Sequence, residues 1–234
     1  MDRRHFNSYA VPALASLIGL AHLQARALSL ADLTNAEASA GLKAALQKGA
    51  TAAVESLGRA DGFLGNALVR IPLPGFLEQV AGLMRTLGQG ARIDELVTSM
   101  NRAAEAAVPQ ARDLLVNAVK AMSVDDAKKI LGGGDTSVTA FFADKTRTPL
   151  EGKFLPVVTK ATEKVGLAAQ YNDVAGKAAG MGLLKKEDAN IQQYVTGKSL
   201  DGLYLMIGEE EKKIRQDPIG TGSKLLKKVF GAIG

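Results

Sequence analysis

No cysteine occurs anywhere in the 234 residues. That absence excludes disulfides, thiolate catalysis, thiolate metal ligands and a lipid carried on cysteine. Histidine is nearly as scarce: only His5 and His22 occur, and both fall in a segment that reads as removable. The chain left after its removal has no imidazole. Ser-His-Asp and Cys-His catalysis then fall away, as do ordinary zinc and copper sites. No cofactor and no metal are expected, and the chain reads as a non-enzyme. Any chemistry would rest on carboxylates, Lys, Arg, Tyr, Ser or Thr. Tryptophan is absent and aromatics are 5%, so there is no evident stacking platform for single-stranded nucleic acid. The core must be built from Ala, Leu, Val, Ile and Met, a composition that favours helix.

Strong charge of one sign is missing as well. The formal net charge is +5, and Asp2, Arg3, Arg4 and Arg26 supply two of those charges. What remains is too little for the concentrated basic face of a nucleic-acid binder. Hydrophobic residues at 47% and charged residues at 23% are ordinary globular usage. The length suffices for a packed core without disulfide or metal support.

The N-terminus is organised. Arg3, Arg4 and His5 open it, a 15-residue apolar stretch from Tyr9 to Leu23 follows, and Ala25-Arg26-Ala27 closes it. Basic, apolar and A-x-A parts in that order are the layout of a signal peptide cleaved near Ala27. The stretch is short of the ~20 residues that span a bilayer. The alternative is a buried amphipathic N-terminal helix. Arg3-Arg4-His5-Phe6 also fits the Arg-Arg-x-Phe heart of a twin-arginine signal. Asp2 stands where Ser or Thr is usual, and the Lys often found afterwards is absent, so the general secretory route stays open. The expected location is the periplasm.

The rest reads as helix. Thr34-Asn35-Ala36-Glu37 is a capping box, with the helix running to about Leu57 and ending at Gly58. Ile93, Leu96, Val97, Met100, Ala103, Ala104 and Ala107 form an apolar stripe at helical spacing. Pro109 breaks or kinks that helix, and Ala111, Leu114, Leu115, Ala118 and Met122 resume the pattern. Ser123 with Asp125 and Asp126 starts another helix, stopped by Gly132-Gly133-Gly134. Thr148-Pro149-Leu150-Glu151 predicts a helix start with Pro at its first position. Leu200, Leu203, Tyr204 and Ile207 form a further stripe, Glu209, Glu210 and Glu211 read as a solvated face, and Asp217-Pro218 is a stop. Val69 to Pro74 is read as a packed extended connection, with a short strand an option. The expected fold is all-α, a compact multi-helix bundle in one domain over residues 28–234. A shift of 78 residues aligns Phe76-Leu77-x-x-Val80 with Phe154-Leu155-x-x-Val158. That leaves open whether the bundle is a pseudo-duplicated pair of helical halves or the match is chance.

Few residues carry a functional signal. Gly220-Thr221-Gly222-Ser223-Lys224 lacks the order of a phosphate loop. Arg70 is the lone charge in its Pro-rich segment. Asn101, Arg102 and Glu105 interrupt an apolar helix. These four are the candidate ligand-binding residues, lining a cleft for a lipid or another apolar small molecule. The plain alternative is that Arg102 and Glu105 are a solvated i, i+3 pair. Lys224, Lys227 and Lys228 crowd one side of a short C-terminal helix, with Phe230 on the other. Such a helix suits contact with an anionic membrane surface or an envelope protein; the alternative is a terminal helix docked on the domain.

Several stretches also resemble the bacterial family DUF4197. They are Gly62-Phe63-Leu64-Gly65-Asn66, Val69-Arg70-Ile71-Pro72-Leu73-Pro74, Met100 to Pro109 and Lys153-Phe154-Leu155-Pro156. Leu200-Asp201-Gly202-Leu203 and the run from Glu209 to Phe230 belong with them, so the resemblance covers roughly Leu28 to Gly231. It implies an exported, helix-rich protein, and it supplies no activity and no catalytic residues.

Overall fold

A computed structural model describes residues 35–134, 136–185 and 188–216. The signal layout, the Thr34 box, the Asp217-Pro218 stop and the C-terminal helix with Lys224, Lys227, Lys228 and Phe230 lie outside the described residues. The described residues form eight α-helices in chain order: α1 (Asn35–Leu57), α2 (Gly75–Thr86), α3 (Gly90–Ala107), α4 (Arg112–Lys120), α5 (Val124–Leu131), α6 (Ser137–Thr162), α7 (Gly166–Gly180) and α8 (Ile191–Gln216). A single 3-10 turn, Val108–Ala111, joins α3 to α4. No strand occurs among the described residues.

The apolar stripes do what their spacing predicts. Ile93, Leu96, Met100, Ala103, Ala104 and Ala107 of α3 are buried. Pro109 falls in the 3-10 turn, because its ring clashes with the preceding turn of an α-helix and it has no N–H to give. Leu115 and Val119 carry the stripe on through α4. Ser123 caps α5 with a reciprocal box: its hydroxyl accepts the Asp126 N–H at 3.0 Å, and Asp126 accepts the Ser123 N–H at 3.0 Å. Leu200, Leu203, Tyr204 and Ile207 are all buried.

α3, α6 and α8 form the middle of the bundle, with Phe142, Leu150, Phe154 and Val158 of α6 fully buried between them. α1 lies along α8. The Cβ position of Gly49 is 3.5 Å from Cβ of Glu210 and 3.6 Å from Cδ1 of Ile214, so the missing side chain admits the neighbouring helix. α6 and α8 are antiparallel. Arg147 pairs with Asp201 at 2.5 Å in the middle of both helices, and Gln192 at the start of α8 donates to Thr162 at the end of α6 at 3.1 Å.

Two expectations need correction. No helix begins at Thr148: α6 runs unbroken from Ser137 through Pro149 and Pro156. Each proline withholds one hydrogen bond, from the carbonyls of Lys145 and Gly152 respectively. Both prolines and both partner residues are exposed, so water satisfies those carbonyls and the buried face stays continuous. Glu211 is buried at 5% exposure, because it falls between Ile207 and Ile214 on the α8 stripe. The segment 69–74 is an irregular packed connection with no strand; Val69, Ile71 and Leu73 are buried while Arg70 and Pro72 are exposed. The residues aligned by the 78-residue shift occupy unlike places. Leu77 lies in the first turn of the 12-residue α2, and Phe154 lies deep within the 26-residue α6.

Candidate functional site

The four residues singled out from the sequence do come together, around the connection between α1 and α2. Glu105 is buried, and its Oε1 accepts the backbone N–H groups of Phe63 at 3.0 Å and Leu64 at 3.1 Å. Its Oε2 accepts from Arg102 Nη1 at 2.6 Å, and Arg102 Nη2 reaches Asp61 at 2.8 Å. These two carboxylates raise the Arg102 pKa, the Glu105 hydrogen bond most and the Asp61 bond next. Asp61 itself takes a left-handed backbone with φ 63°, a conformation Asp tolerates better than most residues. Asn101 is wholly buried. Its Oδ1 accepts the Ile71 N–H at 2.8 Å, and its Nδ2 donates to the carbonyls of Ile71 at 3.0 Å and Val97 at 2.8 Å. Arg70 donates to the Leu64 carbonyl at 2.8 Å.

The solvated-pair reading of Arg102 and Glu105 is therefore wrong for Glu105. A connection without secondary structure leaves backbone donors and acceptors that burial makes costly, and these side chains satisfy them. Every polar contact of Asn101 and Glu105 goes to this chain's own atoms. The four residues clamp a loop, and none of them lines the main cavity.

That cavity, of about 790 Å³, lies between α6, α8 and the segment joining α7 to α8. Arg147, Glu151 and Leu155 project from α6 at i, i+4 and i+8. Tyr194, Lys198 and Asp201 project from α8 at i, i+4 and i+7. Lys185 and Asp188 border the mouth at the start of α8. Leu155 is the single large aliphatic side chain in the lining.

Local interactions hold this frame. Asn190 caps α8 by accepting the N–H groups of Gln192 at 2.9 Å and Gln193 at 3.1 Å. From α7, Tyr171 donates to the Asp188 carbonyl, and Asn172 accepts the Ile191 N–H at 2.8 Å. Tyr194 donates to the Pro72 carbonyl at 3.2 Å, tying the cleft to the clamped loop. Burial first, and then the nearby Asp188 charge, push its phenol up to about 12. Tyr194 is therefore neutral across the physiological range and cannot serve as a base. Arg147 lies 5.5 Å from the Tyr204 ring centre as well as on Asp201, which fixes one end of the cleft.

Two glycines and a buried hydroxyl belong to the walls. Gly152 of α6 and Gly197 of α8 both line the cleft, and no heavy atom beyond their own helices lies within 4 Å of either Cβ position. A mid-helix glycine costs about 1 kcal/mol relative to alanine. At Gly49 and Gly202 helix packing explains that cost; Gly152 and Gly197 face the open cleft, and Gly82 of α2 and Gly176 of α7 are equally unhindered away from it. Thr196 also lines the cleft. It is 4% exposed, and its hydroxyl has no hydrogen-bond partner. Buried hydroxyls nearly always have one.

The sequence carried a trace of this site: polar residues at helical spacing on the faces opposite the apolar stripes. The expected helix start at Thr148 hid it, because that start puts Arg147 in a loop. Among the described residues no cluster of three or more His, Cys, Asp or Glu side chains is placed to hold a metal ion. No described helix is long and apolar enough to cross a membrane.

Fold and site together define an all-α protein with a polar, two-walled cleft between antiparallel helices. The family model described as "Protein of unknown function (DUF4197)" matches residues 32–231, and the chain belongs to that family. No curated protein and no solved structure matches it.

Proposed function

We propose that the protein is a non-enzymatic binding module that holds a small polar molecule between α6 and α8. The cleft carries this reading. Its volume of about 790 Å³ falls within the ~300–1,000 Å³ of small-molecule sites. Gly152 and Gly197 leave both walls open to a ligand. Leu155 gives an apolar ligand one large aliphatic contact among the described lining residues, while charged side chains on both walls suit a polar ligand or a polar head group. A binding role is favoured over catalysis because Thr196 has no basic partner and Tyr194 is neutral and engaged. The basic, apolar and A-x-A order of residues 3–27 supports a periplasmic site of action.

A second role, as an envelope scaffold, rests on the basic amphipathic pattern of Lys224, Lys227, Lys228 and Phe230. Deleting residues 221–234 tests it: lost membrane or partner association with an unchanged helical spectrum supports it, and unchanged association ends it.

Native mass spectrometry on protein purified from the periplasm, alongside Gly197→Phe, tests the cleft. The expected result is a small adduct on the parent chain that Gly197→Phe lacks, with both chains equally helical. An adduct equally abundant on Gly197→Phe would place binding elsewhere. A bare parent chain that stays bare after incubation with an aqueous cell extract would overturn the binding role.

A further inference from the structure

Resting on that reading, we infer that the ligand is bipolar: a zwitterion whose anionic group meets Lys198 and whose cationic group meets Glu151. The charges of the cleft argue for it. Arg147, Lys185 and Lys198 face it, and so do Glu151, Asp188 and Asp201. Among the described lining residues the two signs are equal in number, so net charge favours neither a simple anion nor a simple cation. Their pairing is incomplete. Arg147 is committed to Asp201 at 2.5 Å. Glu151 is merely at the limit of an ion pair with Arg147, at 4.0 Å, and is half-exposed.

Register places the remaining opposites across the gap. Arg147 meets Asp201, and Thr146 meets Tyr204 one helical position earlier on α6 and three later on α8, on antiparallel helices. Moving one turn along α6 from Arg147 reaches Glu151. Moving nearly one turn back along α8 from Asp201 reaches Lys198. Both residues line the cleft, yet no described carboxylate lies within 4.0 Å of Lys198, whose ammonium sits 5.8 Å from the Tyr194 ring centre. Elsewhere on this surface opposite charges that face each other close up, as Arg112 does on Glu55 at 2.9 Å. Here the walls hold a carboxylate and an ammonium apart, with a glycine beside each: Gly152 next to Glu151, and Gly197 next to Lys198. A molecule carrying both charges bridges that gap. Between Gln193 and Asp201 the α8 wall is roughly 12 Å long at 1.5 Å per residue. That length suits a short zwitterion, either a free amino acid-like solute or the head group of a zwitterionic lipid.

The test is calorimetric titration of the full mature chain. The zwitterions are β-alanine, γ-aminobutyrate and glycerophosphoethanolamine. The single-charge controls are propionate, glycerol phosphate and ethanolamine. Phosphatidylethanolamine vesicles are tested by co-sedimentation. Binding of a zwitterion at least about tenfold tighter than its single-charge controls is expected. Lys198→Glu should abolish it, Glu151→Lys should abolish it, and the double exchange should restore it. Both side chains are exposed, so neither change threatens the fold. Binding to a soluble zwitterion assigns a free solute, and binding to the vesicles alone assigns a lipid head group. Equal binding of propionate or glycerol phosphate, or a double exchange that fails to restore, overturns the bipolar ligand. If native spectrometry still shows a cleft adduct while every zwitterion and the vesicles fail, the bipolar ligand falls and the binding module stands.

Discussion

Gly202 of α8 faces the ring of Phe63 so closely that a Cβ at 202 would lie 2.8 Å from Phe63 Cε1 and 3.3 Å from Val69 Cβ. Phe63 is fully buried, so its ring has nowhere to retreat. Alanine in mid-helix ordinarily gains about 1 kcal/mol over glycine, whereas overpacking a core costs ~1–3 kcal/mol. Gly202→Ala is expected to destabilise the protein, because the clash outweighs propensity. Gly197→Ala, which meets no atom within 4 Å, is expected to be neutral or stabilising by up to about 1 kcal/mol. Urea unfolding of the two variants separates the cases, and a Gly202→Ala chain as stable as the parent would refute the tight contact.

Glu105 supports two buried N–H groups with one oxygen. Glu105→Ala leaves both donors and Arg102 without it, an expected loss of ~3 kcal/mol. Glu105→Gln retains an acceptor oxygen for Phe63 and Leu64 and should lose less. Arg102→Ala should lose least, since Arg102 is 42% exposed and water replaces its bonds. Chemical denaturation that ranks the three differently would contradict the clamp.

Asn101 is needed as an amide and not merely as a polar residue. It accepts from Ile71 N–H and donates to two carbonyls. Asn101→Asp is nearly isosteric but sets a carboxylate oxygen against the carbonyls of Ile71 and Val97. It should cost at least as much as Asn101→Leu, of order 3 kcal/mol. Hydrogen exchange at the Ile71 amide should accelerate in both variants.

Alkaline pH should unfold the protein through its tyrosines. Burial raises the phenol pKa of Tyr171, Tyr194 and Tyr204, with Tyr194 at about 12. A folded pKa above the unfolded value of about 10 means that the folded state holds its proton longer. Stability from Tyr194 is then complete below about pH 10 and falls as pH climbs towards about 12. Tyrosinate absorbance should rise together with loss of helix across that window. Tyr194→Phe, which has no proton to lose, should flatten the pH dependence at the cost of the bond to Pro72. A Tyr194 that titrates at its ordinary value in the folded state would refute its burial.

The helices were largely legible because they are amphipathic. The stripes from Ile93 and from Leu200, the cap at Ser123 and the end at Leu57 all follow from 3.6-residue periodicity and turn chemistry. Pro149 misled because proline is best known as a first-turn residue or a breaker. Its tolerance inside α6 depends on which face meets solvent, and that is a tertiary fact. Asn101 and Glu105 stood out as polar residues on an apolar helix, but their backbone partners come from a connection some 30–40 positions earlier in the chain, at no fixed spacing. The cleft was hidden for the same reason. Arg147 and Asp201 are 54 positions apart and meet only because α6 and α8 run antiparallel.

The pairing of α1 with α8 sets the order in which this chain must mature. α1 leaves the ribosome among the first elements, presenting Leu42, Leu46 and Ala50, and the wall that covers them includes Ile207 and Ile214. α4 and α5 pack on α1, and Val138 of α6 adds to that wall, but the part formed by Ile207 and Ile214 is missing until α8 is made. Synthesis order and packing order are opposed, so the nascent protein holds its own first helix in waiting and seals its core only as the last described helix emerges.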